Sequence, residues 1–124
     1  MVVDTAKSPR TKAQNMSDSI TATDAYELVS QGAFLLDVRE DDEFQAGRSA
    51  NAHHIRLSEL PDTVDTLPRE QTIVCVCRSG GRSARAAAFL AEQGFETLNL
   101  EGGMTAWHAA ELPMVSDDGE PFVA

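Results

Sequence analysis

The residues best suited to chemistry lie in one short run, CRSGGRS, which begins at Cys77. Cysteine attacks as its thiolate, and the pKa of a thiol falls beside arginine side chains and at the amino end of a helix. Arg78 and Arg82 lie in the same run, together with the glycine pair Gly80-Gly81. The run therefore predicts an acidified cysteine in a site that binds a small anion.

The segments on either side of this run are predicted to shape it into a cup. The apolar run TIVCVC ends at Cys77 and is typical of a buried strand, and the alanine-rich stretch from Arg82 to Gln93 predicts a helix that Gly94 ends. Glycines let the backbone turn its N–H groups towards one point, and the first turn of a helix adds unpaired N–H donors. The cup is therefore predicted to hold an anion beside the Cys77 thiolate.

The positive charge of Arg78 and Arg82 contrasts with the acidic charge of the whole chain. The 124 residues carry a formal net charge of -10, with 20 acidic and 10 basic residues. This charge repels phosphates and argues against a nucleic acid or an anionic membrane as a partner. No apolar run is long enough to cross a membrane, and two cysteines do not form a disulfide framework. We therefore expect a cytoplasmic protein with reduced thiols, and the sequence leaves its oligomeric state open.

The composition divides the chain into a leader, one folded domain and a tail. Residues 1–18 are polar and are predicted to be disordered, residues 19–115 are predicted to form the domain, and residues 116–124 are predicted to be a loose acidic tail. Short apolar strands alternate with helices in the domain, which is typical of an α/β fold with a mainly parallel sheet. Cys77 follows such a strand, at the edge where these sheets form their sites.

Hydrophobic periodicity and turn residues predict the elements of the domain. Helical segments are expected at 21–31, 40–46, 57–67, 82–93 and 104–112, and strands at 33–38, 53–57, 72–77 and 95–100. On the last of these strands, the side chain of Asn99 is expected to point outward.

Four segments together carry a resemblance to a known family. The run CRSGGRS resembles the active-site loop of the rhodanese family, and three further segments agree with that family in order and spacing. They are LLDVREDDEFQAG at 35–47, FETLNLEGGMTAW at 95–107, and the LP pair that follows at 112–113. The resemblance covers residues 19 to 115 and implies a three-layer sandwich, with a five-stranded parallel sheet between helices on both faces.

The resemblance also implies an activity. Cys77 would attack a sulfane sulfur, for example that of thiosulfate, and the persulfide would pass its sulfur to a thiol or a protein acceptor. Arg78 and Arg82 would attract the anionic donor and stabilise the sulfite that leaves, and no cofactor or metal is implied. The residues implied to bind the substrate are Arg78, Ser79, Gly80, Gly81, Arg82 and Ser83.

Two other functions are alternatives. Related phosphatases and arsenate reductases have one residue more than the four that separate Cys77 from Arg82, which gives a wider cup for a phosphoryl or arsenate group. The shorter loop favours sulfur transfer. The second alternative is a silent rhodanese-like binding module, and the intact cysteine argues against it.

Other residues with possible chemistry are assigned to the framework. Cys75 is predicted to be a buried, apolar side chain, and Trp107 is predicted to lie in the core. Three histidines lack the spacing of metal ligands, so no metal site is predicted. They are His53, His54 and His108.

Asp37 and Arg39 flank a predicted strand end, and we expect an ion pair of Arg39 with Glu43 to stabilise the framework there. The next segment departs from the family pattern. Where relatives commonly have GHIPGA, this sequence has GRSANA at 47–52, with Arg48 in place of a histidine.

Overall fold

The computed structural model describes residues 18–124, so the predicted leader lies outside the described residues except for its last position. The strands are β1 (Ser19–Ile20), β2 (Phe34–Asp37), β3 (His53–His54), β4 (Ile73–Val76) and β5 (Thr97–Leu100). The α-helices are α1 (Ala22–Ser30), α2 (Asp41–Ala46), α3 (Leu60–Thr63), α4 (Gly81–Glu92) and α5 (Gly103–Ala109), and 3₁₀ turns at Leu57–Glu59 and Val64–Thr66 flank α3. None of the helices within 18–124 is long and apolar enough to cross a membrane.

The five described strands form one sheet in the order β1-β5-β4-β2-β3, and every neighbouring pair is parallel. All four residues of the central strand β4 are buried. Its unbroken apolar sequence follows from this position, because a parallel strand covered on both faces has no side towards solvent. The α/β pattern and the five-stranded parallel sheet implied by the resemblance are both confirmed.

Alternate side chains of the sheet separate two cores. Cys75 and Cys77 share one core with Leu90 of α4, whereas Val74 lies in the other core with Trp107 of α5. Side chains two residues apart on a strand point to the same face. Cys77 therefore lies on the α4 face, and the predicted core position of Trp107 is confirmed.

β1 was not predicted. Its two residues, Ser19 and Ile20, pair with Asn99 and Leu100 of β5. Two residues are fewer than any window in which alternation can be recognised, so tertiary pairing decides this strand. By contrast, α4 agrees with its predicted bounds to within one residue at each end, because a long apolar helix between glycines gives a strong pattern.

The GRSANA segment contacts the carboxyl-terminal tail. Arg48 forms an antiparallel bridge with Val115, and its guanidinium lies 2.8 Å from the carboxylate of Asp117. The N–H of Phe122 donates to the carbonyl of Ala46 at 3.1 Å, and a Cβ on Gly47 would overlap the backbone of Phe122. Asp117 and Phe122 of the predicted loose tail thus contact this segment or the end of α2, and Arg48 supplies one of these contacts.

Candidate active site at the Cys77 loop

The loop that follows Cys77 joins the end of β4 to the start of α4. Gly80, just before α4, has φ +116° and ψ −11°, in the left-handed region that favours glycine. The amino end of α5 packs on this loop, where the N–H of Met104 donates to the carbonyl of Cys77 at 2.8 Å and that of Thr105 to Arg78 at 3.0 Å. The N–H of a trans peptide points away from its C=O. Turning these carbonyls towards α5 therefore directs loop N–H groups into the cup.

Gly103 makes this packing of α5 against the loop possible. Its φ is +58°, and a Cβ at this position would overlap the carbonyl oxygens of Cys77 and Arg78. In the sequence, Gly103 is visible only as part of a segment that resembles the family. Its physical role, a close approach of two backbones, becomes visible only when α5 and the loop are seen together.

The sulfur of Cys77 lies at the bottom of the cup, and the residue is 1% exposed. Its Sγ accepts hydrogen bonds from the backbone N–H of Gly80 at 3.1 Å and of Ser83 at 3.4 Å. The Ser83 hydroxyl, in the first turn of α4, lies 3.3 Å from the same sulfur. Donors aimed at one sulfur stabilise negative charge on it.

The two cysteines have opposite pKa shifts. Burial raises the pKa of the Cys77 thiol, but hydrogen bonds from Ser83, Gly80 and Ser79 outweigh burial, so that its pKa is below the ordinary value. Burial, with a smaller effect from Cys77, raises the pKa of Cys75 to about 12. Both are free thiols. Cys77 is therefore the candidate nucleophile, and Cys75 is a buried side chain of the core.

Arg82 forms a two-point ion pair with Glu43 of α2. Its Nη1 and Nη2 each lie 2.8 Å from a different carboxylate oxygen of Glu43. The hydrogen bonds from Arg82 lower the pKa of Glu43 to about 2, and Glu43 in turn raises the pKa of Arg82. The guanidinium that the resemblance assigned to the substrate is thus paired within the protein and ties the start of α4 to α2.

Arg78, Ser79 and Gly81 form the exposed rim of the cup. Among residues 18–124, Arg78 has no ion-pair partner. Arg85, which lies on α4 one turn after Arg82, is exposed too. Of the substrate-binding residues implied by the resemblance, Ser79, Gly80 and Ser83 donate hydrogen bonds to the sulfur, whereas Arg78 is exposed at the rim.

Asn99 of β5 belongs to the site, and the expectation that it points outward is wrong. Its Oδ1 accepts a hydrogen bond from the Ser83 hydroxyl at 2.6 Å, and its Nδ2 donates to the carbonyl of Gly80 at 3.2 Å. Asn99 is paired with Cys75 in the sheet, which places it on the same face as Cys77. In the sequence, the only indication of this position was the polar amide of Asn99 between Leu98 and Leu100.

The fold and the loop agree with a known family. The family model of the Rhodanese-like domain matches residues 21–110. The chain belongs to the rhodanese family. The putative sulfurtransferase YtwF of Bacillus subtilis is 45% identical over 80 residues, which cover 64% of this chain and 78% of that protein. The thiosulfate sulfurtransferase GlpE of Vibrio cholerae is 34% identical over 83 residues, or 66% of this chain and 78% of that protein.

The crystal structure of a rhodanese-related protein from Thermoplasma volcanium agrees with this rhodanese domain at a TM-score of 0.75. The two are 37% identical, and the match covers 79% of this chain and 97% of that chain. The family resemblance seen in the sequence is therefore confirmed by the family model and by a solved fold.

Arg39 of this rhodanese domain pairs with Asp37, whereas the sequence had predicted Glu43 as its partner. Its Nε donates to Asp37 Oδ1 at 2.9 Å and its Nη2 to Oδ2 at 2.8 Å, and both residues are fully buried. Nη2 also donates to the carbonyl of Gly47 at 2.7 Å. The predicted partner was wrong because Asp37 is buried beside Arg39, whereas Glu43 faces Arg82.

Two of the three histidines, His53 and His54, have framework contacts, and His108 is exposed. His53 stacks on Phe34 with ring centroids 4.1 Å apart, and His54 stacks on Phe44 at 4.2 Å. The Nε2 of His54 also lies 2.7 Å from the carbonyl oxygen of Arg39. In the part of the chain that the structure describes, no group of three or more His, Cys, Asp or Glu residues could hold a metal ion.

Proposed function

We propose that this rhodanese domain is a sulfurtransferase that carries sulfur as a persulfide on Cys77. The observation that supports this best is the set of donors from Gly80 and Ser83 on a single buried sulfur. They favour the thiolate, which is the form that attacks sulfur. Relatives at 45% and 34% identity are named as sulfurtransferases, which supports the same class of reaction here.

Thiosulfate is the proposed donor, because the GlpE relative is named for it. The Cys77 thiolate attacks the outer sulfur of thiosulfate, and a new S–S bond forms as the bond to the central sulfur breaks. The electron pair of the broken bond leaves with sulfite, and Cys77 becomes a persulfide anion. Total charge is unchanged, so the step needs no external proton or oxidant.

A thiol acceptor completes the cycle. Its thiolate attacks the outer sulfur of the persulfide, the S–S bond breaks, and the electron pair returns to Cys77 as a thiolate. The acceptor leaves as a persulfide of its own. Both cysteines are free thiols, in keeping with the reducing cytoplasm that we propose as the compartment.

The two arginines of the loop have different proposed roles. Arg78, exposed on the rim and without an ion-pair partner in the described residues, attracts the dianionic donor. Arg82 is paired with Glu43 and holds the start of α4, so that the N–H of Ser83 stays aimed at the sulfur. Only the first of these roles depends on direct contact with the donor.

The size of the cup supports sulfur transfer over phosphate chemistry. Four residues separate Cys77 from Arg82, and the N–H groups of Gly80 and Ser83 already lie within hydrogen-bond distance of Sγ. A divalent sulfur fits close to such donors, whereas a phosphoryl group with three equatorial oxygens needs a wider ring. A binding module would have no use for an acidified thiol.

Intact-protein mass spectrometry after treatment with thiosulfate tests the proposal. The wild type and a Cys75→Ala control should each gain one sulfur atom, which cyanide or dithiothreitol removes, and Cys77→Ser should gain none. A wild type that takes up no sulfur but hydrolyses an aryl phosphate or reduces arsenate would replace the proposal with the phosphatase or reductase alternative. No reaction with any of these substrates would favour the silent module.

A further inference from the structure

The hydroxyl of Ser83 lies between two acceptors. Its Oγ is 2.6 Å from Oδ1 of Asn99 and 3.3 Å from Sγ of Cys77. A hydroxyl has one proton to donate, so at any moment it satisfies one of the two. An O–H···O distance of 2.6 Å is at the short end of the usual range, and neutral sulfur is a weak acceptor. The bond to Asn99 is therefore the stronger one while the sulfur is neutral.

We propose that Asn99 is a positioning residue that competes with Cys77 for the Ser83 hydroxyl. While the sulfur is neutral, the hydroxyl donates to Asn99; when the sulfur becomes charged, the hydroxyl donates to the sulfur instead. Hydrogen bonds to an ionised acceptor are roughly twice as strong as those between neutral groups. A thiolate on Cys77 therefore outcompetes the amide oxygen. The exchange requires only a rotation about the C–O bond of Ser83.

The surroundings of Ser83 limit this competition to the two acceptors, Sγ of Cys77 and Oδ1 of Asn99. Ser83 is 0% exposed, so bulk water does not replace either partner. Asn99 is held by the pairing of β5 with β4 and by its own bond to the carbonyl of Gly80. The amide has no charged form, so its strength as an acceptor stays constant while that of Cys77 changes.

The consequence for the reaction rests on the proposed function. When thiolate becomes persulfide anion, the charge moves to the outer sulfur, and Asn99 takes up the hydroxyl that the inner sulfur no longer needs. When the acceptor thiolate removes the outer sulfur, the electron pair returns to Sγ of Cys77, and the hydroxyl of Ser83 turns back to it. Asn99 thus assists the formation of the persulfide, whereas Ser83 assists its discharge.

Three further residues near Cys77 come from α4, β4 and α5. Arg82 of α4 and Cys75 of β4 interact electrostatically with the sulfur, and Arg82 is paired with Glu43. From α5, the contact with Cys77 is the N–H of Met104 on its carbonyl oxygen. None of these groups has a hydrogen bond to the side chain of Ser83 or Asn99; Gly80, whose carbonyl accepts one from Asn99, is controlled by the double variant.

The pKa of Cys77, measured from the pH dependence of its alkylation by iodoacetamide, tests the proposal in the full chain. Ser83→Ala removes a donor to the thiolate and should raise this pKa by about one unit. Asn99→Ala frees the Ser83 hydroxyl for the sulfur and should lower the pKa by about half a unit. The double variant should behave like Ser83→Ala alone.

The double variant is also the control for the loop, because Asn99→Ala removes the bond to Gly80 as well. A fall in pKa that persists in the Ser83→Ala background would mean that Asn99 acts through the loop, and the proposal would be overturned. A rise or no change with Asn99→Ala would overturn it too. Asn99→Leu, similar in size to asparagine, gives the same measurement if the alanine variant loses its circular dichroism spectrum.

A single-turnover experiment gives the second readout. Asn99→Ala should slow the attack of the fully ionised Cys77 on thiosulfate by less than about twofold for half a pKa unit, and it should not slow the discharge by a thiol, in which Cys77 is the leaving group. Equal slowing of both steps would mean a structural role and contradict the proposal. Since alkylation requires no sulfur transfer, the pKa measurement remains decisive even if thiosulfate proves not to be a donor.

Discussion

Cys75 and Cys77 stand two residues apart, point to the same face of the sheet and are both buried, and yet their thiols differ in chemistry. The pKa of Cys75 is raised to about 12, chiefly by burial. The pKa of Cys77 is lowered, because hydrogen bonds from the loop and from α4 outweigh its burial. Burial alone therefore does not make a thiol inert; what decides is the presence of donors.

The source of the donors explains the difference between the two positions. In β4, Cys75 is paired with Leu36 of β2 and Asn99 of β5, so the backbone N–H groups around it are used in the sheet. One residue beyond the strand this pairing ends, and the loop N–H groups turn to Cys77. A cysteine of lowered pKa at the carboxyl edge of a parallel sheet follows from this change.

The largest expected effect comes from Gly103→Ala. The new Cβ would overlap the carbonyls of Cys77 and Arg78, push the loop away from α5 and disperse the donors that distinguish Cys77 from Cys75. We expect a loss of about 3 kcal/mol in the free energy of unfolding and about a 100-fold slower formation of the persulfide. Urea denaturation and single-turnover mass spectrometry measure the two effects.

Gly32→Ala is the matched control for Gly103→Ala. Gly32 also has a positive φ, +117°, but a Cβ at this position would have no neighbour within 4 Å, and Gly32 precedes β2 at the opposite end of the sheet. The substitution should cost about 1 kcal/mol from backbone strain alone and leave sulfur uptake unchanged. Equal loss of activity in both variants would contradict the role given to Gly103.

Arg78→Ala should weaken the attraction of the thiosulfate anion to Cys77 and should have no effect on Cys75. Loss of one charge-assisted contact corresponds to about a tenfold lower kcat/KM for thiosulfate. Arg85→Ala, which removes an exposed arginine from α4 one turn further on, is the control and should change kcat/KM by less than about twofold. Two equal decreases would indicate general attraction by positive charge instead of binding at the rim.

Glu43→Gln changes only the surroundings of Cys77 and not those of Cys75, because it weakens the ion pair with Arg82 that links the start of α4 to α2. It also removes a carboxylate whose pKa is about 2. A lowered pKa stabilises the fold at pH above the ordinary value of 4.5, and this contribution is lost as the pH falls through about 2. Stability curves of the wild type and the variant should differ by about 1 kcal/mol near pH 6 and converge in acid.

Glu59→Gln is the control for that pH profile. Glu59 pairs with Arg56 at 2.6 Å, and this hydrogen bond also lowers its pKa, but solvent screens the exposed pair. Its removal should change the acid limb of the stability curve less than Glu43→Gln does. A larger effect at Glu59 would contradict the importance given to the link between α2 and α4.

The smallest effect is expected for Cys75→Ala. It removes one buried sulfur from the core shared with Leu90 and Phe95 and should lower the free energy of unfolding by about 1 kcal/mol. Persulfide formation at Cys77 should be unchanged. A clear loss of sulfur uptake would mean that Cys75 takes part in the chemistry and would remove the contrast between the two thiols.

Sequence patterns predicted the elements that are formed by residues close together in the chain. The helix α4 and the strand β4 appeared with nearly correct bounds, since each combines a clear hydrophobic pattern with glycines or polar residues at its ends. The strand β1 was missed because two residues have no period, and the partner of Arg39 was misassigned because spacing along the chain does not say which carboxylate is buried beside it.

The family and the candidate nucleophile with its loop could be predicted from the amino-acid sequence, because strand, loop and helix follow one another without a break from Ile73 to Glu92 and their residue types act over short distances. The groups that control that loop come from distant parts of the chain. Glu43 reaches Arg82 across 39 positions, and Asn99 reaches Ser83 across 16. Such partners meet because the sheet order brings β5 beside β4 and the packing of α2 brings it to the start of α4.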